Sequence, residues 1–415
     1  MTIRASALAA LLAVSLLARP ALAQTPPLEQ ALAEMRNDIQ ARADNKGYPI
    51  AGMDPQDARD VLASIHSLDR DEWAAAWSAR ADKYIATAKA ATDTTAKRDA
   101  YLAAWRLYMF AAWPARTSPG KEAAYHKAAD AYRAYGVLLD PPVEVVRIPY
   151  EGKEIVGYLR LPKGVNPAPV VIAMGGLDEF KEYEALGFDK GALAHGLGVF
   201  AMDMPGVGES PVPMAVGSER VFSRVIDYLA GRKEVDANKI GIYGVSAGGY
   251  WSALMAYVEP KRIRAAAAFG APTDGYFTEA WQRKSWGTKE YLFGLKEARM
   301  FVYGTNDEAV FLERISHFSL KTRGLLDKPS APLLLGNGAN DTQVPIADLY
   351  LPLTAGSPKF SWVNPTGGHT GRGPGWSEER VNSEVVAAWF AGQMKKGRRR
   401  MGKRSATHRW RAEHT

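Results

Sequence analysis

Apolar positions along the chain change period once, near Pro142. Before it, Leu28, Leu32, Met35 and Ile39 recur at the spacing of one helix face. Asp54-Pro55 has the form of an N-cap with proline at the first helical position, ahead of Val61, Leu62 and Ile65. Trp73, Trp77 and Tyr84 mark a third helix, and Tyr101, Ala104, Trp105 and Tyr108 a fourth that Pro114 stops. A fifth carries Tyr125, Ala129 and Tyr132 and is expected to end with Gly136 in the C′ position. At this spacing the aromatics read first as core, and only second as the lining of an acyl or aryl pocket.

After Pro142 strands and helices alternate. "VEVVRIP" and "EIVGYLRLP" read as a pair of strands, and "PVVIAMGG" as a strand buried on both faces. "GVFAMDMPG", "KIGIYGVS", "RAAAAFGAP", "APLLLGNGAND" and "KFSWVNPTGGH" supply further strands, with helices at "SERVFSRVIDYLAGR", "AGGYWSALMAYV" and "SEERVNSEVVAAWFAGQM". The alternation predicts an α/β protein with a mainly parallel sheet covered on both faces. Residues from Asp274 to about Lys328 interrupt it and are expected to form an insertion near the site.

The two ends have their own character. "MTIRASALAALLAVSLLARPALAQ" combines a basic start, an apolar run and Ala21-Leu22-Ala23, the form of a secretory signal peptide over residues 1–23. Its apolar run is well short of the ~20 residues that span a bilayer, and no later stretch is long enough. The expectation is therefore a periplasmic or secreted protein without a transmembrane segment. At the other end, residues 395–415 hold nine Lys and Arg against Glu413 alone, a net of +8. The whole chain carries +7, so the rest is close to neutral at −1. The tail reads as a solvated, disordered end with at most weak contact to anionic surfaces, and the near-neutral body gives no support to nucleic-acid binding. With no cysteine in 415 residues, disulfides, a thiol nucleophile and thiolate metal sites are all excluded. The domains expected are a helical one over 24–140 and a catalytic one over 141–394.

Gly244-Val245-Ser246-Ala247-Gly248 is a G-x-S-x-G pentapeptide between an apolar strand and a helix, the setting of a nucleophile elbow. Ser246 is the candidate nucleophile. In this arrangement the acid and then the base follow along the chain. His369, in the glycine-rich loop after the last strand, is the candidate base; His317 lies in the insertion, and His408 and His414 in the tail. Asp341 follows the penultimate strand and is preferred as the acid over Asp307 of the insertion. The backbone amide of Ala247 and that of Leu177, in Gly175-Gly176-Leu177-Asp178, are the candidate oxyanion donors. Asp203 and Glu209 read as shaping their own loop. No phosphate loop, dinucleotide fingerprint or metal-ligand cluster is present, so no cofactor and no metal are expected.

Taken together, "GGLDEFKEY", "DMPGVGES", "GVSAGGY", the "GAND" and "GGH" loops and the helical N-terminal region resemble one branch of the α/β-hydrolase superfamily. That branch holds fermentation/respiration-switch-type esterases, dihydroxypseudooxynicotine hydrolase and fungal polyketide-shortening hydrolases. The resemblance implies a Ser246–Asp341–His369 triad under a helical cap. It implies a small-molecule ester as substrate, or, as an alternative, hydrolytic C–C cleavage beside a ketone. For the latter it implies an auxiliary acid, Asp274 or Glu279. The export signal and the basic tail depart from the family pattern. A serine peptidase of the oligopeptidase type and a catalytically silent binding protein are the remaining alternatives. The first would call for a β-rich gate in place of helices, and the second for a lost triad member.

Overall fold

A row of local signals shapes the N-terminal part of the structure, a computed structural model that describes residues 27–396 except 289 and 357. The leader read at 1–23 and the tail from 397 onward lie outside those residues. Helix α1 (Pro27–Asp44) is followed by α2 (Pro55–Ala63), where the Asp54 carboxylate accepts from the Gln56 amide. Asp69, Asp93 and Ser118 cap α3 (Arg70–Ala90), α4 (Thr94–Ala112) and α5 (Pro119–Gly136) in the same way. Each cap satisfies an amide that the first helical turn leaves open. Trp73 and Trp77 of α3 close edge-on against Phe110 of α4, at ring distances of 5.0 and 4.8 Å. The helix aromatics are thus core, as their spacing implies.

Gly136 corrects one expectation. It is the last residue of α5 and is not in the left-handed region. A Cβ there would stand 2.9 Å from Val143 Cβ, so the glycine serves close packing of the helix end on the chain leading to the sheet.

One sheet of eight strands forms the rest of the core. It comprises β1 (Glu144–Tyr150), β2 (Lys153–Arg160), β3 (Ala168–Met174), β4 (Gly198–Met202), β5 (Val235–Val245), β6 (Ala265–Phe269), β7 (Leu333–Gly338) and β8 (Lys359–Asn364). Their order across the sheet is β1-β2-β4-β3-β5-β6-β7-β8. The β1–β2 and β2–β4 pairs are antiparallel and all others parallel. In β6 and β7 every residue is buried, as expected for strands covered on both faces.

Helices α6 (Lys181–Gly187) and α7 (Asp189–Ala194) follow β3; α8 (Arg220–Ala230) precedes β5, and α9 (Ser246–Val258) leaves it directly. A closing helix runs through an α-helical turn Glu378–Arg380, a π-helical stretch Val381–Ala387 and a last α-helical stretch Ala388–Lys395. Tyr243 of β5 donates from its hydroxyl to Asn382 of this helix at 2.6 Å, and a Cβ on Gly241 would meet Phe390. The alternating Gly244 faces the other way, toward the start of α9. The closing helix and α9 therefore cover opposite faces. Between β6 and β7 the predicted insertion holds three short helices, Glu279–Ser285, Leu295–Val302 and Glu308–Ser316. Among the described residues no helix is long and apolar enough to cross a membrane.

Candidate active site

Ser246 stands where β5 turns into α9, with φ at +52°. That left-handed conformation is costly for a residue with a Cβ and persists only where its surroundings hold it. The flanking glycines show how. A Cβ on Gly244 would lie 2.2 Å from the Gly248 carbonyl oxygen, and one on Gly248 would lie 2.2 Å from that of Gly175. Backbone packs where any side chain would be, and the serine is pushed to the top of the turn.

Asp341 and His369 follow the ends of β7 and β8, neighbours in the sheet, and meet there. Asp341 Oδ2 accepts from His369 Nδ1 at 2.8 Å and from Asn337 Nδ2 at 2.8 Å. Its Oδ1 accepts the amides of Gln343 at 2.7 Å and Val344 at 3.0 Å. Burial alone would raise this carboxyl; the neighbouring His369, the Asn337 amide and the Val344 N–H outweigh it and hold the pKa below the usual carboxylate range. The carboxylate thus stays ionised and fixes the ring with Nδ1 as donor. The other ring nitrogen, Nε2, is buried with no protein partner among the described residues. His369 and Ser246 line one narrow cleft. Its free volume is about 20 Å³, room for roughly one water molecule.

Leu177 borders the same cleft. The preceding amide, of Gly176, is taken up by Glu179 Oε2 at 2.9 Å, which fixes the loop. A Cβ on Gly176 would be 3.1 Å from Ser246 Cβ, so this loop runs directly past the serine. Ala247 lies in the first turn of α9, where amides have no partner within the helix and the helix dipole favours negative charge.

The alternatives weighed in the sequence have other duties. Asp307 caps its own helix by accepting from the Val310 amide, and His317 pairs with Glu313 at an exposed position. Asp274 accepts from the Ser319 hydroxyl at 2.5 Å, and Glu279 pairs with Arg283. Both acids border a different cavity and neither borders the cleft of Ser246. Asp203 binds the Lys181 amide and ammonium and the Glu209 amide, and so does shape its loop.

Several residues of the cleft have no signal in the sequence pattern. Tyr48, between α1 and α2, donates to Asp178 Oδ2 at 2.7 Å, and the Trp113 indole donates to the same oxygen at 3.1 Å. Arg372 lies over the Tyr48 ring at 4.3 Å and pairs with Glu378 at 3.1 Å. Burial, with Glu378 and Asp178 near, pushes the Glu179 carboxyl well above the usual range. From the insertion, Glu290 accepts the His369 backbone N–H on one oxygen and the Thr342 amide, at 2.9 Å, on the other. It joins the loop of His369 to the loop of Asp341. A signal for these residues would have required knowing which distant loops meet.

Comparison with known proteins agrees with this architecture. The family described as esterase FrsA-like matches residues 50–357. Esterase FrsA of Citrobacter koseri is 28% identical over 313 residues, covering 70% of this chain and 74% of the relative. Esterase FrsA of an Enterobacter species is 27% identical over 276 residues, 65% of each chain. Among solved structures, 2,6-dihydroxy-pseudo-oxynicotine hydrolase superposes with a TM-score of 0.69 at 21% identity, over 83% of this chain and 94% of that one. AbyA5 gives 0.68 at 20%, over 87% and 95%. The fold is that of the α/β-hydrolases, and the chain belongs to the FrsA-like esterase family and is a hydrolase.

Proposed function

We propose that the protein is an exported carboxylesterase that works through an acyl-enzyme on Ser246. The observation that carries this reading is the 2.8 Å Asp341–His369 hydrogen bond, with the opposite ring nitrogen buried and unpartnered among the described residues and His369 lining the cleft of Ser246. His369 Nε2 takes the Ser246 proton as Oγ attacks the ester carbonyl, and Asp341 stabilises the imidazolium that forms. Charge on the carbonyl oxygen is met by the Ala247 and Leu177 amides, each worth about 3 kcal/mol of barrier lowering. As the acyl–oxygen bond breaks, its electron pair stays on the leaving oxygen, which receives the proton from Nε2. A water deprotonated by His369 then attacks the acyl-enzyme, and collapse returns Ser246 and a carboxylic acid.

C–C cleavage beside a ketone would use the same three residues. Asp274 and Glu279, the acids considered for it, border another cavity, so the ester reading ranks first. The helical segment in place of a β-rich gate speaks against a peptidase. Export rests on the leader at 1–23, and the mature chain is expected to start at Gln24.

The test is labelling of the mature protein by a fluorophosphonate, beside a Ser246→Ala variant and with phenyl acetate turnover measured in parallel. Labelling and turnover confined to the wild type are expected. A folded wild-type protein that neither labels nor turns over would leave the fold as a binding module and end this reading.

A further inference from the structure

Tyr291 lies in the insertion, directly after the Glu290 that holds the His369 backbone, so it starts on the base's side of the cleft. It is 7% exposed and lines the cleft together with Ser246 and His369. Its ring stacks on Trp113 at 5.2 Å and 25°, which leaves it little freedom to turn away. Its hydroxyl lies within reach of the Asp178 carboxylate, which acts on it, but forms no hydrogen bond of ordinary geometry with any described residue. Asp178 Oδ2 is already occupied by Tyr48 and Trp113. A buried hydroxyl without a partner costs stability, and its retention calls for a reason.

His369 and Tyr291, each carrying a buried polar atom without a hydrogen-bond partner among the described residues, thus line the same cleft. Tyr291 also borders a second cavity of about 500 Å³, lined by Glu34, Asn37 and Asp38 of α1 and by Trp286 and Leu292 of the insertion. The α1 residues are exposed, so that cavity opens to the surface, and the tyrosine forms part of the wall between it and the serine.

We propose, resting on the esterase reading above, that Tyr291 binds substrate by donating a hydrogen bond to the leaving-group oxygen of the ester. The leaving group departs on the side of the base, because His369 Nε2 must reach its oxygen with a proton. The phenol has its pKa raised, by burial first and by the Asp178 charge second, so it remains a protonated donor at the working pH. As the bond to the acyl carbon lengthens, negative charge grows on that oxygen. The phenol's hydrogen bond strengthens with it, while the proton itself comes from His369. The leaving portion then lies against the wall toward the outer cavity.

Sulfur accepts hydrogen bonds weakly, so an oxygen ester and its thioester separate this role from any other. Tyr291→Phe should lower kcat/KM for phenyl acetate about 10-fold and leave that for S-phenyl thioacetate within about twofold. Its melting temperature should equal or exceed that of the wild type, since the unpartnered hydroxyl is gone. Fluorophosphonate labelling confirms that Ser246 is still reactive in the variant. Equal losses on both substrates, no loss on either, or a fall in melting temperature with a loss on both would overturn the assignment. A wild type inactive on both esters would instead remove the esterase reading, and this inference with it.

Discussion

Glu184 carries a carboxyl whose two oxygens are both buried without a hydrogen bond among the described residues. Burial first, and the charge of Glu378 second, push its pKa up to about 8. The native state thus holds this proton more tightly than the unfolded chain, whose value is about 4.3. Its stabilising contribution is complete below that value and is lost as pH rises through about 8. Thermal melts should show the wild type losing stability from about pH 4.3 up to about pH 8 and levelling off above, with Glu184→Gln markedly flatter over that window. Identical slopes would show that Glu184 does not titrate there. At this scale the sequence was informative where chemistry is local. Ser246 announces itself by its pentapeptide, and the order along the chain then points to Asp341 and His369, which the fold brings together. Asp178, Glu290 and Tyr291 carry no such mark, because each acquires its meaning only from partners far along the chain.

The insertion between β6 and β7 was legible as an interruption of strand–helix alternation, but its contribution to the site was not. Tyr291 borders the cleft, and Glu290 beside it reaches two loops at once. The carboxylate ties the His369 amide to Thr342, and the Glu290 carbonyl oxygen accepts from Arg42 of α1 at 3.1 Å. On the proposed triad Glu290 acts as a positioning residue, since it reaches His369 only through backbone. Freeing the loop would let the imidazole drift, and displacements near 1 Å cost about 100-fold in rate. Glu290→Ala is expected to lower kcat 10- to 100-fold with little change in KM and in melting temperature. Steady-state kinetics with a melting curve checks this; an unchanged kcat would refute it. Among the other elements, the helices were readable from caps and spacing. Gly136 was misread because a helix-ending glycine and a glycine required by packing look alike in a sequence.

At the scale of the molecule, a buried ionic cluster ties the helical segment to the sheet. Lys181 is fully buried and pairs with Asp203 at 3.0 Å, Glu182 at 3.2 Å and Glu209 at 2.7 Å. Arg133 of α5 joins it through Glu209 at 2.9 Å. Burial would strip the ammonium of its proton, but Asp203 and Glu182 reverse this and keep it charged. Such clusters tolerate no missing partner, because removing one charge leaves the others uncompensated at a cost of about 3–5 kcal/mol. Near the serine the link is of another kind: Tyr48 and Trp113 share a single carboxylate oxygen, with Arg372 laid over the tyrosine. The sequence disclosed the helical segment and the sheet separately, because each has its own period, but gave no means of seeing how one grips the other.

The cleft beside Ser246, with its 20 Å³, has a consequence in time. Space for one water is smaller than an ester, so binding is expected to wait for the cleft walls to part. Such a wait behaves as a clock that the ligand does not wind. Labelling by a fluorophosphonate should speed up with concentration at first and then level off at a ceiling, and small and bulky probes should share that ceiling. A strictly linear dependence, up to the solubility of the probe, would mean that the door stands open.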